Sequence, residues 1–265
     1  MAKKNLRGVT IASVVAVALA AAGFYFWQHQ TESKEPAKSN TQDETKPTSA
    51  PPVEPEIRYP IAKAQEAAEK PLPALDESDS RLDEELDLIL GKGQFEKFLT
   101  PHDLIRRIVV TIDNLGERRL PALFSPLQPL ESTFTASHDG ENRSFSNANL
   151  ERYAPYVALL QQIDMAKLVK VYTRFYPLFQ SAYAELGMAG YFNDRLVAEI
   201  DRLLKTPTPN PPIQLLGEDP YYTFADPKLE GLAAGQKILI RLGAANEKIV
   251  KTKLRELHDH LLSAN

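Results

Sequence analysis

The chain has 265 residues, no cysteine, and 31 basic residues against 35 acidic ones, a net charge of −4. Without cysteine there are no disulfides, cysteine nucleophiles or thiolate metal sites. The balanced charge excludes the basic footprint of a nucleic-acid-binding protein.

The first predicted element is a membrane span over residues 8–27. "GVTIASVVAVALAAAGFYFW" carries no charge, and about 20 apolar residues suffice to cross a bilayer. Lys3, Lys4 and Arg7 precede it, and no basic residue follows until Lys34. Basic residues stay on the cytoplasmic side, so residues 1–7 form a cytoplasmic tail and everything after Trp27 lies across the membrane. Tyr25 and Trp27 sit where an aromatic belt meets the far interface. The alternative is a cleaved signal peptide, since Ala18-Leu19-Ala20 fits a small-residue cleavage site. The apolar run continues past that site through Phe26, which favours an uncleaved anchor. Residues 28–56 read as a disordered linker. They hold Pro36, Pro47, Pro51, Pro52 and Pro55, mixed charge and no aromatic residue, which cannot build a core. As a flexible coil they reach roughly 30 Å.

Residues 57–265 are dominated by helical periodicity and read as one mostly helical domain. Leu82, Leu86, Ile89 and Leu90 form a stripe closed by Gly91. Thr100-Pro101 reads as a helix start, with Asp103 in the first turn and Leu104, Ile105, Ile108, Val109, Ile112 and Leu115 inward. Asp139-Gly140, between "STFTAS" and "NRSFS", leaves room for a small β-hairpin anchored by Phe134 and Phe145. Helices resume over 148–162, with Pro155 as a kink or split, and over about 193–205. Pro207, Pro209, Pro211, Pro212, Pro220 and Pro227 then mark a long irregular segment, which is either functional or wraps the surface. Two helices complete the chain.

The most informative helix covers residues 165–187. Leu168, Tyr172, Phe175, Phe179, Tyr183 and Leu186 recur every three or four residues and form one apolar seam. Pro177 falls on the opposite side with Lys167, Lys170, Arg174, Ser181 and Glu185. There a proline bends the helix without breaking the seam, and Gly187 ends it. Buried tyrosine hydroxyls need partners, and backbone groups or carboxylates such as Glu185 or Asp201 are expected to supply them.

"RRIVVTIDNL", "RYAPY", "FYPLFQSAYAELG", "YFNDRLVAEID", "ADPKLEGLAAGQKILIRLG" and "VKTKLREL" follow one another along the chain. In this order they resemble the motifs of one proteobacterial family of membrane-anchored domains of unknown function. The resemblance spans roughly residues 57–262. It implies a membrane segment, a proline-rich linker and a helical domain, and it implies no activity and no catalytic residues. In such a bacterium the layout puts the anchor in the inner membrane and the domain in the periplasm.

No nucleophile elbow, zinc-protease motif or phosphate-binding loop is present, and no cofactor or metal is expected. His102, His138, His258 and His260 read as surface residues. Two functions remain open. The first is a tethered binding or scaffold module for an envelope protein or wall component. Its surface would be formed by Arg174 with Tyr221, Tyr222 and Phe224 of the proline-rich segment. The same aromatics could instead pin that segment onto the helices. The alternative function is an envelope hydrolase acting through the carboxylates Glu218, Asp219 and Asp226. The anchor itself is open to test by alkaline extraction of membranes. The full-length protein should stay in the membrane pellet, and recovery of a soluble form starting near Ala21 would overturn the anchor.

Overall fold

The computed structural model describes residues 56–61, 71–130, 132–218 and 222–264. The apolar run 8–27 and linker residues 28–55 lie outside the described residues. The described chain is mainly helical with a small antiparallel sheet. Helix α1 covers Ser78–Leu90, α2 Gln94–Phe98, α3 Leu104–Asn114, α4 Ala148–Gln162, α5 Met165–Glu185 and α6 Phe192–Leu204. A short α7 (Pro227–Glu230), α8 (Ala234–Arg241) and α9 (Ala244–Ser263) follow. The predicted stripes are the buried ones: Leu82, Leu86, Ile89 and Leu90 on α1, and Leu104, Ile105, Val109 and Ile112 on α3. Gly91 closes α1 with a positive φ of 89°. Leu196, Val197, Ile200 and Leu203 form the inner face of α6.

One helix start differs from the sequence expectation. α3 begins at Leu104, three residues after Pro101, and Asp103 sits before it with φ 53°. Its cap comes from another element. The Asp79 carboxylate on α1 accepts the backbone N–H groups of Asp103 at 2.7 Å and Leu104 at 3.0 Å. A distant carboxylate therefore satisfies donors that a local Ser, Thr or Asp usually satisfies.

α5 is the central helix and packs against α1, α3, α6 and α9. It runs unbroken through Pro177, which is exposed, while Phe175, Phe179 and Tyr183 are buried. The seam ends earlier than its spacing suggests, because Leu186 lies beyond the last turn and is exposed. The Asp164 side chain caps the first turn by accepting the Lys167 N–H at 3.1 Å. α4 is likewise one continuous helix, with Pro155 on its exposed side.

The tyrosine partners correct the expectation. Tyr172 donates to Asn193 Oδ1 at 3.1 Å, and Tyr176 donates to Gln180 Oε1 at 2.8 Å. Glu185 is bound instead by Arg106 at 2.7 Å, and Asp201 lies 3.4 Å from His258. Both carboxylates are on the rim, whereas Asn193 is fully buried beside the rings. Burial keeps the Tyr172 and Tyr176 phenols well above their ordinary range, so both remain neutral donors. The same side chains hold the residues before α1. Asp194 accepts from the backbone of Arg58 at 3.0 Å and Tyr59 at 2.8 Å. Tyr191 accepts from Ile61 at 2.9 Å, and Asn193 donates to the Tyr59 carbonyl at 2.9 Å.

The hairpin forms as β1 (Ala136–Asp139) and β2 (Asn142–Phe145), with Asp139 opposite Asn142. Gly140 is the first loop residue at φ 58°, the position a two-residue II′ turn reserves for glycine. The proline-rich segment contributes β3 (Gln214–Leu216) and β4 (Thr223–Phe224), giving a sheet of order β1-β2-β3-β4. Its buried side is a second small core of Phe134, Leu215, Tyr222, Phe224 and Ile240.

The main core is not filled throughout. A half-open apolar pocket of about 110 Å³ remains among α1, α3, α5, α6 and α9. The placement of α5 predicts an asymmetry between two nearby substitutions in urea unfolding. Phe179→Ala should lower stability by about 3–5 kcal/mol. Pro177→Ala should change it by less than about 1 kcal/mol, because a regained backbone hydrogen bond offsets the loss of the fixed bend.

Candidate functional site

Among the described residues, one surface cleft of about 570 Å³ has the size of a binding site. Its walls are the end of α2, Pro129, Leu130, Ser132, Thr133 and Thr135, and the outer face of α4. Three local devices build it. Residues 126–128 pair with 98–100 as a short antiparallel bridge, in which Gln128 N–H donates to the Phe98 carbonyl at 3.0 Å and Thr100 N–H to that of Pro126 at 2.9 Å. The fully buried Asn149 holds Thr135 from both sides, accepting its N–H at 3.0 Å and donating to its carbonyl at 2.6 Å. Arg152 reaches across from α4 and donates to the Ser132 carbonyl at 2.7 Å.

The floor is aromatic. Phe98 and Tyr156 meet edge to face at 5.0 Å, and the Tyr156 hydroxyl donates to the Gln128 carbonyl at 3.0 Å. The Lys97 ammonium lies 5.2 Å over the Phe98 ring. Beside the cleft, burial raises the Tyr153 phenol against the pull of Arg152 and Arg241. It stays a neutral acceptor for Arg152 at 3.2 Å. Pro155 adds a feature peculiar to this wall. Having no N–H, it leaves the Glu151 carbonyl without its helical donor, and both residues line the cleft. The lining thus offers the cations of Lys97 and Arg152, the carboxylate of Glu151, the hydroxyls of Ser132, Thr133 and Thr135, and the apolar faces of Pro129, Leu130 and Pro155. That mixture suits recognition of an extended polar chain.

The described residues among those singled out from the sequence do not line this cleft. Arg174 Nη1 bonds Glu85 Oε1 at 2.5 Å, and Arg81 shares that carboxylate oxygen at 2.8 Å, so Arg174 ties α5 to α1. Tyr222 and Phe224 are buried in the small core, Tyr222 with its ring 5.7 Å from Phe134. Arg241 lies 4.8 Å over the Phe224 ring, and Glu230 accepts the Phe224 N–H at 2.9 Å. These aromatics anchor the segment to the helices. Glu218 is exposed, 3.7 Å from Arg143, and Asp226 caps α7 by accepting the Lys228 N–H at 2.8 Å. Tyr221 and Asp219 lie outside the described residues.

Sequence reading missed Lys97, Arg152 and Pro155 as partners. "RYAPY" was the available signal: a mid-helix proline with an arginine three residues before it and tyrosines on the inward side. The anchoring role of Phe224 predicts that Phe224→Ala destabilises by about 3–5 kcal/mol, a melting temperature lower by about 10 °C. Glu218→Ala should stay within about 0.5 kcal/mol of the parent. Thermal unfolding followed by circular dichroism checks both.

No curated protein and no solved structure matches the chain. A family model does match, over residues 104–258, and its description is a protein of unknown function, DUF3014. The matched stretch runs from the first residue of α3 to His258 in α9 and takes in the whole sheet and the α4 wall of the cleft. The chain therefore belongs to the DUF3014 family.

Proposed function

We propose that this chain is a membrane-tethered binding or scaffold module of the bacterial cell envelope, anchored in the inner membrane with its helical domain in the periplasm. The cleft beside α4 carries the reading. It has the volume of a ligand site, and its polar groups sit on three segments fixed by hydrogen bonds. Two further features support a tether. The uncharged run from Gly8 to Trp27 has the length and basic flank of an anchor. The chain entering the domain at Arg58 and Tyr59 is gripped by Asp194 and Asn193, so a pull along the linker is borne by the head of α6.

The occupant is an envelope protein or a wall component presenting an extended polar segment. A hydrolase built on Glu218, Asp219 and Asp226 has less support, since Glu218 stands in solvent and Asp226 is engaged as a helix cap. A photoreactive residue placed at Thr133, in the cleft, tests the reading in whole cells. Its control is one placed at Lys248, on the exposed side of α9. Thr133 should give a discrete adduct that the Lys248 position does not give. No adduct from Thr133, or the same adducts from both positions, would contradict a binding role for the cleft.

A further inference from the structure

The sheet has two edges, and they are finished differently. Beside β4 the Ala225 N–H donates inward to the Gln214 carbonyl at 2.9 Å, so alternation turns the main-chain groups of Tyr222 and Phe224 outward. Side chains close that edge. Glu230 accepts the Phe224 N–H at 2.9 Å, and Arg241 donates to the Tyr222 carbonyl at 3.2 Å.

β1 has no such closure. The Phe145 N–H donates to the Ile213 carbonyl at 2.9 Å, away from β1, so Asn142 and Ser144 are the residues of β2 that bond Asp139 and Ser137 across the hairpin. The N–H and C=O groups of Ala136 and His138 therefore point away from the sheet, and among the described residues no group bonds them. The strand is nonetheless held extended. β2 pairs it along its length, and Asn149 supplies the next rung by holding both main-chain groups of Thr135. Ser137, His138 and Asp139 are exposed, while Ala136 and its partner Phe145 lie half-buried at the margin of the small core.

We propose that the open edge of β1 takes an extended polypeptide segment of a partner protein as a fifth strand, antiparallel to β1. Its main chain exchanges hydrogen bonds with Ala136 and His138, and an apolar side chain opposite Ala136 covers that residue and Phe145. The recognition is by main chain: only a polypeptide repeats N–H and C=O groups at the two-residue period of the strand, which a glycan does not. A second folded copy fits less well. The four-residue edge spans about 13 Å, too short to bury the roughly 1,000 Å² that a stable association of two folded chains requires. Because β1 is already held straight by β2 and Asn149, it loses little freedom on binding. The edge stands apart from the cleft, none of whose lining residues belongs to β1.

Proline tests the edge directly, since it lacks the N–H and is tolerated in a sheet where that N–H faces outward. The full-length protein carries a photoreactive residue at Ser137 in whole cells, and Ala136→Pro and His138→Pro are added separately. Ser137 should give a protease-sensitive adduct, reduced about tenfold by either proline. Melting temperatures of both variants should stay within about 2 °C of the parent, whereas Ser137→Pro, which removes an inward N–H, should melt several degrees lower. An undiminished adduct in a proline variant that still folds would overturn the pairing. An adduct of twice the chain's mass would make the partner a second copy and overturn the peptide, as would a protease-resistant adduct or none. Loss of folding in both variants would show that these N–H groups serve the fold itself, and would overturn the open edge.

Discussion

Tyr172, Tyr176 and Gln180 project from the buried side of one helix, and their polar atoms must find partners inside an apolar core. The head of α6 supplies them. Asn193 accepts from Tyr172. Gln180 accepts from Tyr176 and from the Phe192 N–H at 2.8 Å, and it donates to the Gly190 carbonyl at 3.0 Å. Leaving such groups unpaired costs far more than the bonds contribute, so the network admits one register of α5 against α6. The seam of Phe175, Phe179 and Tyr183 then packs in that register, with Phe179 stacked on Phe192 at 5.9 Å between ring centres. Residues 58–61 take their place from the same side chains. Core, helix start and incoming chain are one construction.

Charge reinforces this arrangement from outside. Glu85 joins α1 to α5 through Arg81 and Arg174, and Arg106 joins α3 to α5 through Glu185. Arg195 links Asp113 of α3 to Glu199 of α6. The Arg106–Glu185 pair is exposed and contributes little singly, whereas Glu85, Asp113 and Glu199 are largely shielded from water. Their value here lies in choosing between helix packings that the apolar stripes alone would leave nearly equal in energy. The two in-helix prolines fit the same scheme. Both lie on exposed faces, so the buried stripes of α4 and α5 pass beneath them uninterrupted, and Pro155 itself lines the cleft.

Helices were legible in the sequence because their signal is local. The stripes on α1, α3, α5 and α6 bury most of the residues that their spacing selects, with Ile108, Leu168, Tyr172 and Leu204 half-buried and Leu186 exposed, and Gly91 ends its helix as expected. The hairpin was legible for the same reason, through a glycine at a tight turn. What could not be read depends on distant partners. The start of α3 is set by Asp79, 24 residues away, and not by Pro101. The strands of the proline-rich segment exist because β2 offers an edge to Leu215 and Gln214, which composition does not reveal. The cleft was the least legible, since its polar groups come from α2, residues 132–135 and α4, and the mid-helix proline read only as a kink.

The fold depends most directly on side chains of α5 holding the first turn of α6. Helix N-termini ordinarily leave their first backbone N–H groups to water, and such amides exchange with solvent quickly. Here the Phe192 N–H donates to Gln180, and the Asn193 N–H to the Tyr176 hydroxyl at 3.3 Å. Native-state hydrogen exchange at these two amides decides the matter. They should exchange as slowly as the buried amides of α5, opening only with the whole domain, whereas the fast exchange of an ordinary frayed helix start would contradict the network.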